Sequence, residues 1–214
     1  MRNRKDILEG NKRYSDKFVQ PIGKSKISLE IKDVLIKNKV KSLIDLGCGD
    51  GGFVRAVRQE LPEVKLTGVD ISPRRIKGLK KLFSKYKFYV GDVCDTGIKN
   101  KFDFVHSSQV IEHVPSDVEM VEEMARLLKN NGIMFCSSVI KKPFAVYKYK
   151  CNGKFALDPT HVREYRNQEE FLNLFRKDFR LIKSWVIPVS RKIFGLQVRI
   201  PGYYLVYGIW RKRK

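Results

Sequence analysis

Ser42-Leu-Ile-Asp-Leu-Gly-Cys-Gly-Asp-Gly-Gly-Phe53 is the stretch that decides the fold. Leu43, Ile44 and Leu46 read as a buried strand, the glycines as a turn, and the residues after them as the start of a helix. Such a turn can bring bare backbone N–H groups against a ligand at a helix N-terminus. Gly47, Gly49 and Gly52 also satisfy G-x-G-x-x-G, the dinucleotide spacing. Asp45 stands before those glycines and Asp50 among them, however. Two carboxylates raise the cost of holding a doubly negative pyrophosphate and favour a ligand bearing positive groups.

Three further segments follow in order. Lys65-Leu-Thr-Gly-Val-Asp70-Ile-Ser-Pro73 is a short strand ending in a carboxylate, about 20 residues past the turn, the spacing of a ribose-binding acid. Phe88-Tyr-Val-Gly-Asp92-Val93 is a second acidic strand end. Phe102-Asp-Phe-Val-His-Ser-Ser-Gln109-Val-Ile-Glu112-His113-Val-Pro115 is a buried strand running into a loop. Together with D-L-G-C-G-D-G these segments resemble the class I S-adenosylmethionine-dependent methyltransferases (type 11/12-like domain). The resemblance covers residues 42–115 and implies an α/β, Rossmann-like fold: a seven-stranded, mostly parallel sheet with helices on both faces and an antiparallel last strand. It implies S-adenosylmethionine as cofactor. Asp45, Gly47, Cys48, Gly49, Asp50 and Gly51 would surround the methionine end, and Asp70 and Ile71 the ribose and adenine. Asp92 and Val93 would meet the adenine edge, with Ser108 and Gln109 near the methionine end.

A chain of 214 residues suits one well-cored domain. No apolar run approaches the ~20 residues of a membrane span, and the charged start Met1-Arg-Asn-Arg-Lys-Asp lacks the apolar stretch of a secretory signal. Cys48, Cys94, Cys136 and Cys151 show no C-x-x-C spacing, which fits a reducing, cytoplasmic setting and neither zinc nor a disulfide framework. Charge is uneven. Residues 41–140 carry 15 Lys and Arg against 13 Asp and Glu, whereas residues 141–214 carry 18 against 5. A nearly neutral centre with basic flanks points to an acidic partner: a phosphorylated or acidic sugar or other small molecule, RNA, or an anionic membrane surface. A generally cationic surface is the plainer reading.

Residues 1–40 read as a helical segment that either caps the cofactor or packs against the domain, and 41–214 as the methyltransferase domain. Strands are expected near 41–46, 65–70, 87–90, 102–106 and 132–139, with helices near 51–61, 74–85 and 117–129. Asn130-Asn131-Gly132 reads as the stop of the last of these helices. A basic substrate-side insertion occupies about 140–166; in it, Lys141 to Lys150 mixes lysines with Phe144, Tyr147 and Tyr149, a pattern suited to nucleic acid, to a sugar ring or simply to a solvated lid. A helix near 168–177, a strand near 179–188, a last strand over Tyr203–Trp210 with a pairing-competent edge, and a frayed Arg211–Lys214 tail complete the chain.

Methyl transfer from a sulfonium needs an acceptor held in line with the methyl carbon. An oxygen acceptor also needs its proton removed, most readily by histidine. The chain has three: His106, at a strand end, and His113 and His161, the two candidate catalytic bases. His161 lies in Asp158-Pro-Thr-His-Val-Arg-Glu-Tyr165. That stretch resembles methyltransferases of surface polysaccharides and lipid-linked sugars, and also the small-RNA 3′-terminal 2′-O-methyltransferases. The RNA enzymes and the ubiquinone-pathway O-methyltransferases carry a Glu-x-x-Glu-His cluster that binds a divalent ion in metal-dependent members. Here the matching positions are Gln109, Glu112 and His113, so one anionic ligand is missing; Glu112, His113 and His161 could still form a three-ligand site, but no metal is assigned. The resulting expectation is O-methylation of a small or sugar-containing acidic substrate. The alternatives are RNA 2′-O-methylation with a metal, or cofactor binding without catalysis.

Overall fold

Five apolar runs pair side by side in parallel: β1 (Ser42–Leu46), β2 (Lys65–Asp70), β3 (Lys87–Val90), β4 (Phe102–Ser108) and β5 (Leu128–Lys141). This computed structural model describes residues 3–23, 25–145, 149–151, 154–156, 158–193 and 196–213. A short hairpin follows, β6 (Tyr149–Cys151) with β7 (Lys154–Ala156). The main sheet then closes with β8 (Phe179–Ile193) and β9 (Leu196–Lys212) in the order β3-β2-β1-β4-β5-β9-β8. β9 runs antiparallel to both its neighbours. This is the Rossmann-like sheet that the β-α alternation implies.

Helices cover both faces. α2 (Leu29–Lys37), α3 (Gly52–Glu60) and α4 (Pro73–Leu82) bury Ile31, Leu35, Val54, Val57, Ile76 and Leu79 against one. α5 (Asp117–Leu127) and α6 (Gln168–Asn173) bury Met120, Val121, Met124, Leu127 and Phe171 against the other. Their starts are chemically marked. Ser28, Ser72, Ser116 and Asn167 each place a side-chain oxygen on a first-turn N–H, and Pro73 occupies the first position of α4. α1 (Arg4–Lys17), capped by Asn3, stands apart from these layers with Ile7 as its buried side chain. So the two readings of residues 1–40 apply to different helices: α2 packs against the sheet, whereas α1 lies over the cleft described below.

Four expectations change. α6 stops at Asn173, short of 177. β8 and β9 outrun the predicted strands and form one long hairpin, whose pairing supports residues that local pattern does not mark. Tyr203–Trp210 is no edge, because β9 lies between β5 and β8, and β8 is the outer strand. Of the tail, Lys214 lies outside the described residues, and 211–213 are tied down: Arg213 N donates to Asp178 O at 2.8 Å, Lys212 Nζ to Ala125 O at 2.6 Å, and Arg211 to Asn131 O and Asn38 Oδ1. α5 ends at Leu127, and Asn131 takes a left-handed φ of 61° inside the span of β5. Of the aromatic-basic run, 146–148 and the side chains of 149 and 150 lie outside the described residues, while Phe144 is exposed.

Trp210 holds this end together by packing on Phe175 (4.2 Å between centroids) and Phe171 (5.9 Å). Trp210→Ala should cost about 3–5 kcal/mol of stability in urea unfolding. Leu181→Ala, at a largely exposed site, should stay within about 0.5 kcal/mol.

Candidate active site

Sheet order reverses between β1 and β4, and ligands of open α/β sheets bind at that switch, outside the strand ends. The glycine turn sits there, but its N–H groups are not bare. Gly47 N and Cys48 N both donate to Val69 O, at 2.8 and 3.0 Å. Gly49 N donates to Asp70 Oδ2 at 2.8 Å, and Gly51 N to Cys48 O at 3.0 Å. The turn is locked to the end of β2, and it offers a ligand space rather than these donors. Gly47 has φ +75°, and a Cβ there would overlap the side chain of Val110.

A cleft of about 340 Å³ lies against the turn. Of the expected cofactor residues, Gly47, Gly49, Asp70, Ile71, Asp92, Val93, Ser108 and Gln109 line it. Asp70 is buried, and burial pushes its carboxyl up, opposed by the N–H groups of Ser72 and Gly49. Asp92 already accepts from Cys94 N through Oδ1 and from Arg4 through Oδ2, at 2.9 and 2.7 Å. Gln109 holds a left-handed φ of 57° and hydrogen-bonds Ser137.

The other expected residues lie elsewhere. Asp50 faces Arg75, 3.2 Å away, as an ion pair outside hydrogen-bond geometry, and Gly51 caps α3; neither lines this cleft. Asp45 and Cys48 line a second cavity of about 640 Å³ that shares Gly47 and Ser108 with the first. Burial raises the Cys48 thiol well above its usual range, which makes it an inert wall.

A cap from residues 1–40 is one of the two sequence readings, but the residues of α1 that line the cleft are not singled out there. Leu8, Asn11, Tyr14 and Ser15 of α1 line the cleft. Asn11 Nδ2 donates to His113 O at 2.7 Å, and Asp16 accepts from Ser72 Oγ at 2.5 Å. The available signal was their i, i+3, i+7 spacing, which puts Leu8, Asn11 and Ser15 on one helix face.

At the far wall, Glu112, His113 and His161 converge, each with one ligand atom within 4.8 Å of the others. Thr160 Oγ1 donates to Asp158 Oδ1 (2.5 Å), so it receives the Nδ1–H of His113 (2.9 Å). His161 Nδ1 likewise faces Glu164 Oε1 at 2.8 Å. Both rings therefore keep Nε2 to offer. Glu112 is fully buried. Its Oε2 accepts from Ser138 at 2.9 Å, and its Oε1 has no hydrogen-bond partner among the described residues. Burial pushes its carboxyl up to about 7. Burial, together with His161, pulls His113 down to about 4, so that ring is neutral at pH 7. Two imidazoles and a buried carboxyl group, each anchored from behind, fit a divalent cation. His113 lines the cleft, whereas His161 stands behind it, ring centroids 4.7 Å apart.

Residues 37–188 match a family described as a methyltransferase domain. The chain belongs to that family. Its class I members use S-adenosylmethionine as methyl donor. This methyltransferase domain is 27% identical over 183 residues to ajmaline N-methyltransferase of Rauvolfia serpentina, covering 82% of this chain and 57% of that one. It is 29% identical over 160 residues to the ubiquinone biosynthesis O-methyltransferase of Coxiella burnetii, covering 68% and 67%. The chain thus spans little more than half of the first relative's length. In fold it resembles the MccD protein, with a TM-score of 0.64 at 21% identity over 86% of this chain and 97% of that one. No helix among the described residues is long and apolar enough to cross a membrane.

The raised Glu112 carboxyl fixes a pH dependence for the methyltransferase. Its unfolded counterpart ionises near 4.3, so folding is unpenalised below that pH, and the penalty grows until the pH passes about 7. Glu112→Gln should match wild-type thermal stability near pH 4 and exceed it by several degrees at pH 8. A difference that does not vary with pH would contradict this.

Proposed function

We propose that this chain transfers a methyl group from S-adenosylmethionine to an oxygen of a small or sugar-containing acidic acceptor. The observation that carries the reading is the cleft at the β1/β4 switch, with Asp70 at the end of β2 and the locked glycine turn beside it. S-adenosylmethionine, when bound, supplies a methyl carbon on a positively charged sulfur. Asp70 retains lone pairs for the ribose hydroxyls, Ile71 and Val93 give apolar walls for adenine, and Ser108 and Gln109 flank the methionine end. Asp45 reaches that end from the second cavity, across the shared Gly47 and Ser108.

Proton removal falls to the histidine pair. His113 is at the cleft wall, but burial suppresses its proton affinity. His161 lies behind it, with Glu164 fixing its ring through Nδ1, so in this reading the acceptor hydroxyl reaches it past His113. The acceptor oxygen bonds to the methyl carbon as the carbon–sulfur bond breaks, and its proton passes to Nε2. The basic residues 141–214 supply the attraction for an acidic acceptor. His161→Ala should lower turnover by about 10²-fold or more and leave cofactor affinity within about twofold, checked by single-turnover assay and calorimetry. Unchanged turnover removes His161 from this role.

The convergence of Glu112, His113 and His161 favours a second reading, metal-dependent 2′-O-methylation of RNA. A cation held there would make these residues ligands rather than bases and would polarise a ribose hydroxyl. Methyl label from S-adenosylmethionine, followed into the RNA, lipid, protein and small-molecule fractions of a cell extract with and without EDTA, separates the two. Chelator-sensitive label in RNA supports the second reading. Chelator-indifferent label in the sugar, lipid or small-molecule fraction supports the first.

A further inference from the structure

The second cavity holds a feature that proton removal and adenosine binding leave unused. Asp45 and His106 sit side by side in the paired register of β1 and β4, and their side chains meet at 2.7 Å, Nδ1 to Oδ1. Both are almost wholly buried, 2% and 5% exposed. A carboxylate only accepts, so the imidazole carries its hydrogen on Nδ1 and donates it to Asp45. The ring cannot swing. Phe53 lies parallel on one side at 3.7 Å between centroids, and Phe135 lies parallel at 5.1 Å. One oxygen of Asp45 is thereby fixed, which sets where the other points.

A carboxylate buried in this way is costly unless a charge or donor meets it. His106 is one partner, and no other hydrogen bond to the Asp45 side chain is formed among the described residues. Asp45 lines the cavity that shares Gly47 and Ser108 with the cofactor cleft, and those two residues flank the methionine end in the reading above. The amino-acid end of the cofactor carries an ammonium group, and no other part of an adenosine ligand does.

We infer that His106 is a positioning residue, which aims the carboxylate of Asp45 at the ammonium group of the cofactor and so makes binding selective for ligands with an amino-acid end. The inference rests on the cofactor reading above. Its chemistry is an oriented charge pair, with the orientation supplied by an N–H donor clamped between two phenyl rings. The ring face packs and the Nδ1–H aims, and the two roles can be separated by substitution. His106→Phe keeps a flat ring between Phe53 and Phe135 and removes the donor. His106→Asn places an amide N–H near the position of Nδ1 and removes the ring.

The test is calorimetric titration of the full chain with two ligands: S-adenosylhomocysteine, which has the amino-acid end, and 5′-methylthioadenosine, which lacks it. His106→Phe should weaken S-adenosylhomocysteine by about tenfold or more and 5′-methylthioadenosine by no more than about twofold, as for loss of a hydrogen bond to a charged group. His106→Asn should recover most of that loss. In an Asp45→Asn background, His106→Phe should cause no further weakening, because the imidazole acts through Asp45. Equal weakening of both ligands, additive losses in the double variant, or no loss in a folded His106→Phe protein each overturn the inference. Should His106→Phe not fold, Asp45→Asn must itself show the selective loss, and equal loss of both ligands overturns it. If the wild type binds neither ligand, the cofactor reading fails, and this inference fails with it.

Discussion

One carbonyl oxygen organises the ligand-binding end of the molecule. Val69 O accepts from both Gly47 and Cys48, so the turn after the first strand is anchored to the end of the second. The next residue along, Asp70, repeats the tie through Gly49 N. Two neighbouring strand ends and the loop between strand and helix thus become one rigid edge. Neighbouring side chains pack on that edge: Val110 lies against Gly47, and Arg75 on α4 meets Asp50. A glycine turn of this kind is usually described by the donors it shows a ligand. Here most of those donors are spent holding the turn in place, and the ligand gains a floor with no side chains in its way.

Much of this was legible in the chain. Apolar runs of four to seven residues bounded by glycine, proline or acidic residues marked β1 to β4 almost to the residue, because β1, β2 and β4 are buried along most of their length and the signal is continuous. The helix starts have a local cause, the serine caps and Pro73 seen in the structure. Where the reading failed, the cause was distant. The last hairpin is longer than its alternation suggests because each strand supports the other, and the Arg211–Arg213 segment is ordered by carbonyls far back in the sequence.

The site divides in the same way. Acidic strand ends announced Asp70 and Asp92, but nothing local showed that Arg4 sits on one of them. Glu112 and His113 were recognisable as a pair. Their meeting with His161 follows from a chain crossing in which Val162 N and Arg163 N both bond the carbonyl of Glu112, while the Arg163 side chain binds Ile111 O, Val114 O and Pro115 O. Backbone carbonyls carry no residue-type signal, so that docking leaves no motif. Asp45 and His106 were both noticed, one as a cofactor residue and one as an isolated strand-end histidine. Register alone joins them.

The roof formed by α1 is held unlike the rest of the molecule. Arg4 reaches Asp92 and Glu119, Asn11 reaches His113 O, and Asp16 reaches Ser72 and Arg74. Against these polar contacts, Ile7 is the buried side chain that α1 contributes. Apolar burial is not screened by dissolved ions, but attraction between partly exposed charges fades as the ionic strength rises. The floor of the cleft therefore belongs to the folded core, and its cover answers to the surrounding electrolyte. Rising salt is expected to weaken the hold of this cover more than that of the floor beneath it.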